Sequence, residues 1–388
     1  MPRQPVSGLR GAGVSRRGPG RSGQALSGLQ KRLPAAAAAC LALLLAGCTG
    51  GPGAGPAGST TLPEAREVRV PDVAERLELQ LDIPWSAVFL PDGTAIISER
   101  NTALLKAVPA GGREAITLGE VPEVAAAGEG GLLGLALSPA FVADRYLYMY
   151  FTAREDNRIA RVRVQESGGA LSLEEPETIF TGIPKANTHN GGRIRFGPDG
   201  FLYVGTGDSQ RRDQPQDPQA LGGKILRLTA DGGPAPGNPF GNAVYSLGHR
   251  NVQGLAWDGA GRLWASEFGP DVNDELNLVV PGGNYGWPAV TGAPGRPEFQ
   301  DAKVVWPSTA ESSPSGLEIV GSTAYLGALR GQRLWTVPLE GTEAGTPVAH
   351  FTRQFGRIRD VVRSPEGGFW LLTNNENPDF VLVLPPSA

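Results

Sequence analysis

The feature that most constrains this 388-residue chain is a phrase that recurs about six times. An apolar run meets a Pro-Asp-Gly-like turn, and a second run rich in β-branched and aromatic residues follows. The clearest copies are Val88-Phe89-Leu90-Pro91-Asp92-Gly93 leading to Ala95-Ile96-Ile97, and Ile194-Arg195-Phe196-Gly197-Pro198-Asp199-Gly200 leading to Phe201-Leu202-Tyr203-Val204. Looser copies pair Leu137-Ser138-Pro139 with Tyr146–Tyr150, Leu255-Ala256-Trp257 with Arg262-Leu263-Trp264, Leu317-Glu318-Ile319 with Ala324-Tyr325-Leu326, and Val361-Val362 with Gly368–Leu372. Pro presets the negative φ of an early turn position and Gly accepts the positive φ of a later one, so each phrase predicts a β-hairpin. The copies lie roughly 45–60 residues apart, the repeat length of propeller blades. Strand alternation is weak, as it must be where strands are buried on both faces. With no long 3.6-residue periodicity beyond the N-terminal leader, the chain lacks the helices of a TIM barrel or a Rossmann fold. The expected fold is all-β, a six-bladed β-propeller of four-stranded antiparallel blades, with a multi-sheet β-sandwich as the alternative. Val68–Leu81 is expected to close the ring by joining the blade that contains Phe380–Leu384.

The N-terminus reads as an address. Leu33 to Leu45 is an apolar run of about thirteen residues, too short to span a bilayer and suited to a signal-peptide core. Basic residues precede it, and Leu44-Leu45-Ala46-Gly47-Cys48 resembles a bacterial lipobox. Arg16-Arg17 is a poor twin-arginine signal, because Gly18-Pro19 follow where apolar residues are needed. The chain therefore divides into a lipoprotein signal peptide (1–47), a Gly/Pro-rich flexible tether (48–67) and the propeller (68–388). Lipidation at Cys48 would anchor the protein to the outer face of the cell membrane. Cys40 lies in the leader, so the domain has no disulfide. Residues 1–47 carry seven basic and no acidic side chains. The remainder holds 28 of the 35 basic residues against all 39 acidic ones, a net charge of −11. Such an acidic body argues against nucleic acid as a partner.

Propeller chemistry belongs to the loops at one end of the channel, and four stretches carry it. Asn187-Thr188-His189-Asn190-Gly191-Gly192-Arg193 places one of three histidines in a Gly-rich loop before a strand, a candidate general base. Gly205-Thr206-Gly207-Asp208 ends the next strand with a carboxylate able to orient His189. Arg211-Arg212-Asp213 beyond it reads as a solvated loop. Leu247-Gly248-His249-Arg250-Asn251-Val252-Gln253-Gly254-Leu255 offers, in Arg beside Asn, planar donors for carboxylate or quinone oxygens. Ser266 to Asn277, with Gly282-Gly283-Asn284-Tyr285-Gly286-Trp287-Pro288, is dense in the hard oxygen donors that Ca²⁺ selects, without EF-hand spacing. Zinc is disfavoured by scattered histidines, and Walker A and dinucleotide fingerprints are missing.

Taken in order, these stretches resemble the pyrroloquinoline quinone (PQQ)-dependent soluble sugar dehydrogenases, the glucose/sorbosone dehydrogenase family, over about Leu81 to Leu384. The resemblance implies PQQ lying over one end of the channel, Ca²⁺, an aldose substrate oxidised at C1 to the lactone, and an external electron acceptor. It makes His189 the base and a cofactor contact, Asp208 its supporting carboxylate, Arg250 a catalytic and cofactor contact, and Asn251 a further cofactor contact. Gly269 and Pro270 match positions holding the Ca²⁺ that polarises PQQ, and Glu275 and Tyr285 match ligands of a further, structural calcium. Arg330, Arg357 and Arg359 match cations for the carboxylates of PQQ. Glu129, in Gly128-Glu129-Gly130-Gly131-Leu132-Leu133, stands at a cofactor-facing position where comparable enzymes carry Gln. Thr188 replaces an Asp, and Arg330 an expected Lys. These departures point to the broader aldose branch rather than the glucose-specific one. Sugar selectivity falls to loops such as Gln210–Gln219 and Ala289–Val304. The alternative function is a non-catalytic propeller that binds carbohydrate or protein outside the cell.

Overall fold

Each recurring phrase folds into the two innermost strands of a blade. A computed structural model of the protein describes residue 70 and residues 72–375 and 378–386. The signal peptide and the whole tether, Cys48 included, lie outside the described residues. The six hairpins are Pro84–Phe89 with Ala95–Glu99, Leu132–Leu137 with Tyr146–Thr152, Ile194–Phe196 with Leu202–Gly205, Val252–Trp257 with Leu263–Glu267, Pro314–Val320 with Thr323–Ala328, and Ile358–Arg363 with Phe369–Thr373. The turns behave as their residues dictate. Gly93 and Gly200 adopt φ of 86° and 79°, and their N–H groups close the turns onto Leu90 and Gly197 carbonyls at 2.9 Å.

A third and a fourth antiparallel strand complete every blade, and the six first strands pack on one another in a closed cycle. The protein is a six-bladed β-propeller. Two blades depart from the simple four-stranded plan. In blade 2 the third strand, Asn157–Ser167, outruns its sheet and folds back at Gly168-Gly169 to pair with a short extra strand, Ala170–Leu173. In blade 5 the outer strand is split into Glu343–Ala344 and Val348–His350, because Pro347 between them has no N–H to donate. The described residues contain one helix, the single turn Phe141–Asp144.

Blade 6 takes its outer strand from the N-terminal side. Glu75–Leu81 pairs antiparallel with Asp379–Leu384, which is the expected closure. Asp379 locks it, accepting from Ile83 N at 3.1 Å and Thr373 Oγ1 at 3.0 Å. Apolar side chains gather in six clusters, one at each blade–blade boundary. Aromatic pairs bridge several of these boundaries, such as Tyr148 with Phe196, Trp306 with Trp335, and Phe89 with Trp370. Ala95–Glu99 and Thr323–Ala328 are buried throughout. This two-sided burial between neighbouring sheets explains why period-2 alternation is faint in the sequence.

Ion pairs staple the first strands across the channel. Arg193 of blade 3 donates to Asp360 of blade 6 at 3.0 Å and to Ser86 of blade 1 at 3.2 Å. Arg195 grips Glu318 of blade 5 through two 2.9 Å bonds.

Candidate active site

All six first strands run the same way along the channel, so residues preceding them collect at one end, with those following the second strands. There lies a cavity of ≈ 270 Å³. Blade 1 contributes Trp85 at the start of its first strand, and Glu129, His189, Arg250 and Ser313 precede the first strands of blades 2 to 5. Arg357 and Arg359 stand at the start of blade 6. Arg100, Gly269, Pro270 and Arg330 arrive from the ends of second strands. The cavity thus unites eight of the residues singled out in the sequence, from Glu129 to Arg359.

His189 is held from both sides. Its Nδ1 lies 2.7 Å from Asp208 Oδ1, and its Nε2 lies 2.9 Å from Arg250 Nη2. Guanidinium can only donate and a carboxylate accepts, so both partners demand the same tautomer, with the proton on Nδ1 and a lone pair on Nε2. The backbone is fixed too. His189 adopts φ of 60°, and its N–H donates to Glu129 Oε2 at 2.7 Å. Its carbonyl sits where Gly207 has no side chain, since a Cβ there would come within 1.8 Å of it. That close approach is why the strand-end motif needs glycine just before Asp208.

Asp208 stands behind the histidine, 1% exposed. It accepts from Gln210 N at 2.9 Å and, through its other oxygen, from Trp287 Nε1 at 2.8 Å. Burial alone would raise its pKa. The bonds from His189, Gln210 and Trp287 outweigh burial and hold the carboxyl below its ordinary range. Arg250 is lowered by burial, with Asp208 and Glu267 pulling the other way. Its Nη1 donates to Phe268 O at 3.1 Å, and its backbone N–H donates to Glu267. Asn251 lies beneath, fully buried, with Oδ1 accepting from Gly191 N at 2.9 Å. It braces the histidine loop, and its buried Nδ2 has no hydrogen-bond partner.

The opposite wall is cationic. Arg359 is buried, bonded to Gln253 Oε1 at 2.8 Å and Asn374 Oδ1 at 2.9 Å, while its Nε has no hydrogen-bond partner. Burial, and then the charges of Arg100 and Arg357, drive its pKa well down. Arg330 donates to Thr309 Oγ1 at 2.9 Å.

Glu275 and Tyr285 lie outside the cavity, in a buried polar network behind it. Glu275 pairs across the sheet with Glu267, and burial followed by that neighbouring charge pushes its pKa up to about 8. Glu267 meets His249 Nδ1 at 2.8 Å, and His249 stacks on Tyr285. The Tyr285 hydroxyl donates to Leu278 O at 2.7 Å and accepts from Val280 N at 3.0 Å.

Sequence reading missed several contributors. Trp85, Arg100, Thr309 and Ser313 stand outside any motif. Trp287 lay within a recognised motif, but only folding shows its indole on Asp208. Arg212 is exposed as expected, and its guanidinium also covers the Trp287 ring at 4.7 Å.

Fold and site together define a class, a propeller with a carboxylate-backed histidine facing an arginine-lined cavity. Comparison with known proteins makes this specific. The family model described as Glucose / Sorbosone dehydrogenase matches residues 81–382. The aldose sugar dehydrogenase YliI of Escherichia coli is 30% identical over 344 residues, covering 80% of this chain and 92% of its own. The PQQ-bound aldose sugar dehydrogenase of Streptomyces coelicolor superposes with a TM-score of 0.78 at 46% identity, over 82% of this chain and 100% of that one. The apo form of the soluble aldose sugar dehydrogenase from Escherichia coli gives 0.72 at 29% identity, over 80% and 99%. The chain belongs to the glucose/sorbosone dehydrogenase family and is an oxidoreductase.

Proposed function

We propose that the protein oxidises aldose sugars at C1 to the lactone, with PQQ and Ca²⁺ as cofactors and an external electron acceptor. The observation that carries this is the cavity itself, where a histidine whose unprotonated Nε2 accepts from Arg250 faces a wall of arginines. PQQ is a tricarboxylate, and the residues present fit it. Mutually repelling guanidiniums and the unpartnered Nε atoms of Arg250 and Arg359 are the donors an anionic planar ligand satisfies. Arg250, Arg330, Arg357 and Arg359 would hold it. When bound, PQQ supplies a hydride-accepting quinone, which a divalent cation renders more electrophilic.

The protein's own groups do the rest. His189 Nε2 exchanges its Arg250 contact for the sugar's C1 hydroxyl and takes that proton, while Asp208 balances the charge arising on the ring. Arg250, beside the same nitrogen, orients the hydroxyl oxygen. The chain around Gly269 and Pro270 is suited to calcium, since it curls so tightly that the carbonyls of Val272 and Asn273 would lie 2.0 and 2.5 Å from a Cβ at Gly269. Buried Glu275, with the unpartnered Oδ1 of Asn277 nearby in the strand, suits a second, structural calcium.

His189→Ala should abolish sugar-dependent turnover and leave PQQ binding within a fewfold of the unaltered protein; retained turnover would remove His189 from the mechanism. The Leu44–Cys48 pattern further supports an extracytoplasmic lipoprotein anchored at Cys48. Cys48→Ala should then shift the protein out of the membrane fraction, and an unchanged distribution would refute the anchor.

A further inference from the structure

The cavity contains a cation that neither the repeated phrases nor the family resemblance assigns. Arg100 follows the second strand of blade 1, and its backbone is fixed on both sides. Its N–H donates to Ile83 O and its carbonyl accepts from Leu132 N, both at 3.1 Å. The residue lies across Gly131 of the Gly128–Leu133 motif. A Cβ at Gly131 would come within 2.1 Å of the Arg100 carbonyl and 2.9 Å of its Cγ. The bare glycine therefore gives the arginine stem its route into the cavity that Glu129 also lines.

Charge shows why an arginine belongs there. Glu129 is the one carboxylate among the described residues lining the cavity. It cannot turn away easily, since its Oε2 is engaged by the His189 N–H at 2.7 Å. A carboxylate pinned beside the site of an anionic ligand opposes binding unless a cation offsets it. Arg100 is the charged group that weighs most on Arg359, ahead of Arg357, so it contributes directly to the field of the arginine wall.

We propose that Arg100 binds a carboxylate of the anionic cofactor and offsets the negative charge that Glu129 places in the same cavity. This inference rests on the PQQ reading above.

The test is calorimetric titration of PQQ into the calcium-supplied protein and into Arg100→Gln, Glu129→Gln and the double variant, with thermal midpoints of each cofactor-free protein. Arg100→Gln should weaken PQQ binding by about tenfold to a hundredfold, the value of a charge-assisted contact. Its cofactor-free midpoint should change little, because the loss of the Nε bond to Asn101 Oδ1 at 3.1 Å is set against relieved repulsion among arginines. Glu129→Gln should tighten binding, and the double variant should return toward the unaltered protein. Binding by Arg100→Gln within about twofold of the unaltered protein overturns the proposal. Weakened binding with a lowered cofactor-free midpoint also overturns it, since Arg100 would then be a structural residue. Absence of PQQ binding by the unaltered protein would defeat the functional reading itself, a result separable from either.

Discussion

Replacing Asp208 with Asn exchanges one oxygen for an amide, and the structure says what that exchange does. The two carboxylate oxygens accept from His189 Nδ1 at 2.7 Å, Gln210 N at 2.9 Å and Trp287 Nε1 at 2.8 Å. All three partners are donors, and an amide has only one oxygen to offer them. If its NH₂ faces His189, the ring must accept at Nδ1 and carry its proton on Nε2. That proton would then point at Arg250, which can only donate, and Nε2 could not take one from substrate. If the NH₂ faces Trp287 instead, the tautomer survives, but the charge opposite the protonated ring is lost. An equivalent change in the Ser-His-Asp arrangement costs about 10⁴ in turnover. We expect kcat to fall by about 10²–10⁴, or about 3–5 kcal/mol of transition-state stabilisation. KM should change little, because Asp208 stands behind the histidine and does not line the cavity. The carboxyl is held below its ordinary value of 3.8. Its contribution to stability is therefore present above that pH and lost as pH falls through the folded value. Asp208→Asn should also remove this acid-side dependence. Initial rates of aldose-dependent dye reduction, with thermal melts across pH 2–5, test both parts. A kcat within about threefold of the unaltered enzyme would refute the reasoning.

Two further predictions concern the scaffold and the metal. Arg193→Met leaves Asp360 buried without its partner and should cost about 3–5 kcal/mol, a melting shift of about 5–8 °C in a domain this size. An unchanged midpoint would show that the channel pair does not staple the blades. Chelation should lower the melting temperature, and calcium should restore it in the unaltered protein but far less in Glu275→Gln. An equal calcium response in the variant would exclude Glu275 as a ligand.

The inner hairpins were legible because their turns need particular residues. Asp92-Gly93 and Asp199-Gly200 announce themselves through backbone chemistry that few other residues satisfy. The outer strands were not, because Ile116–Glu120 and Glu177–Ile183 are largely exposed and carry neither a buried pattern nor a special turn. The split in blade 5 follows from Pro347, but only once a strand is known to pass there. His189, Asp208 and Arg250 could be read because each sits in a Gly-rich motif that the local backbone requires. Arg100 could not, because Ser98-Glu99-Arg100-Asn101 is an ordinary strand end and its route into the cavity depends on Gly131 in another blade. Asn251 shows a second kind of gap. Its side-chain oxygen holds the histidine loop through Gly191 N, a contact that the motif alone did not disclose, while its buried Nδ2 has no hydrogen-bond partner.

The central claim is that this cavity oxidises aldoses with PQQ and calcium. Its most direct test is to purify the protein free of cofactor, add PQQ and Ca²⁺ singly and together, and follow dye reduction with a panel of aldoses. The account predicts sugar-dependent reduction that requires both additions. PQQ binding without reduction by any aldose would contradict the assigned substrate class, and failure to bind PQQ at all would contradict the reading of the arginine-lined cavity.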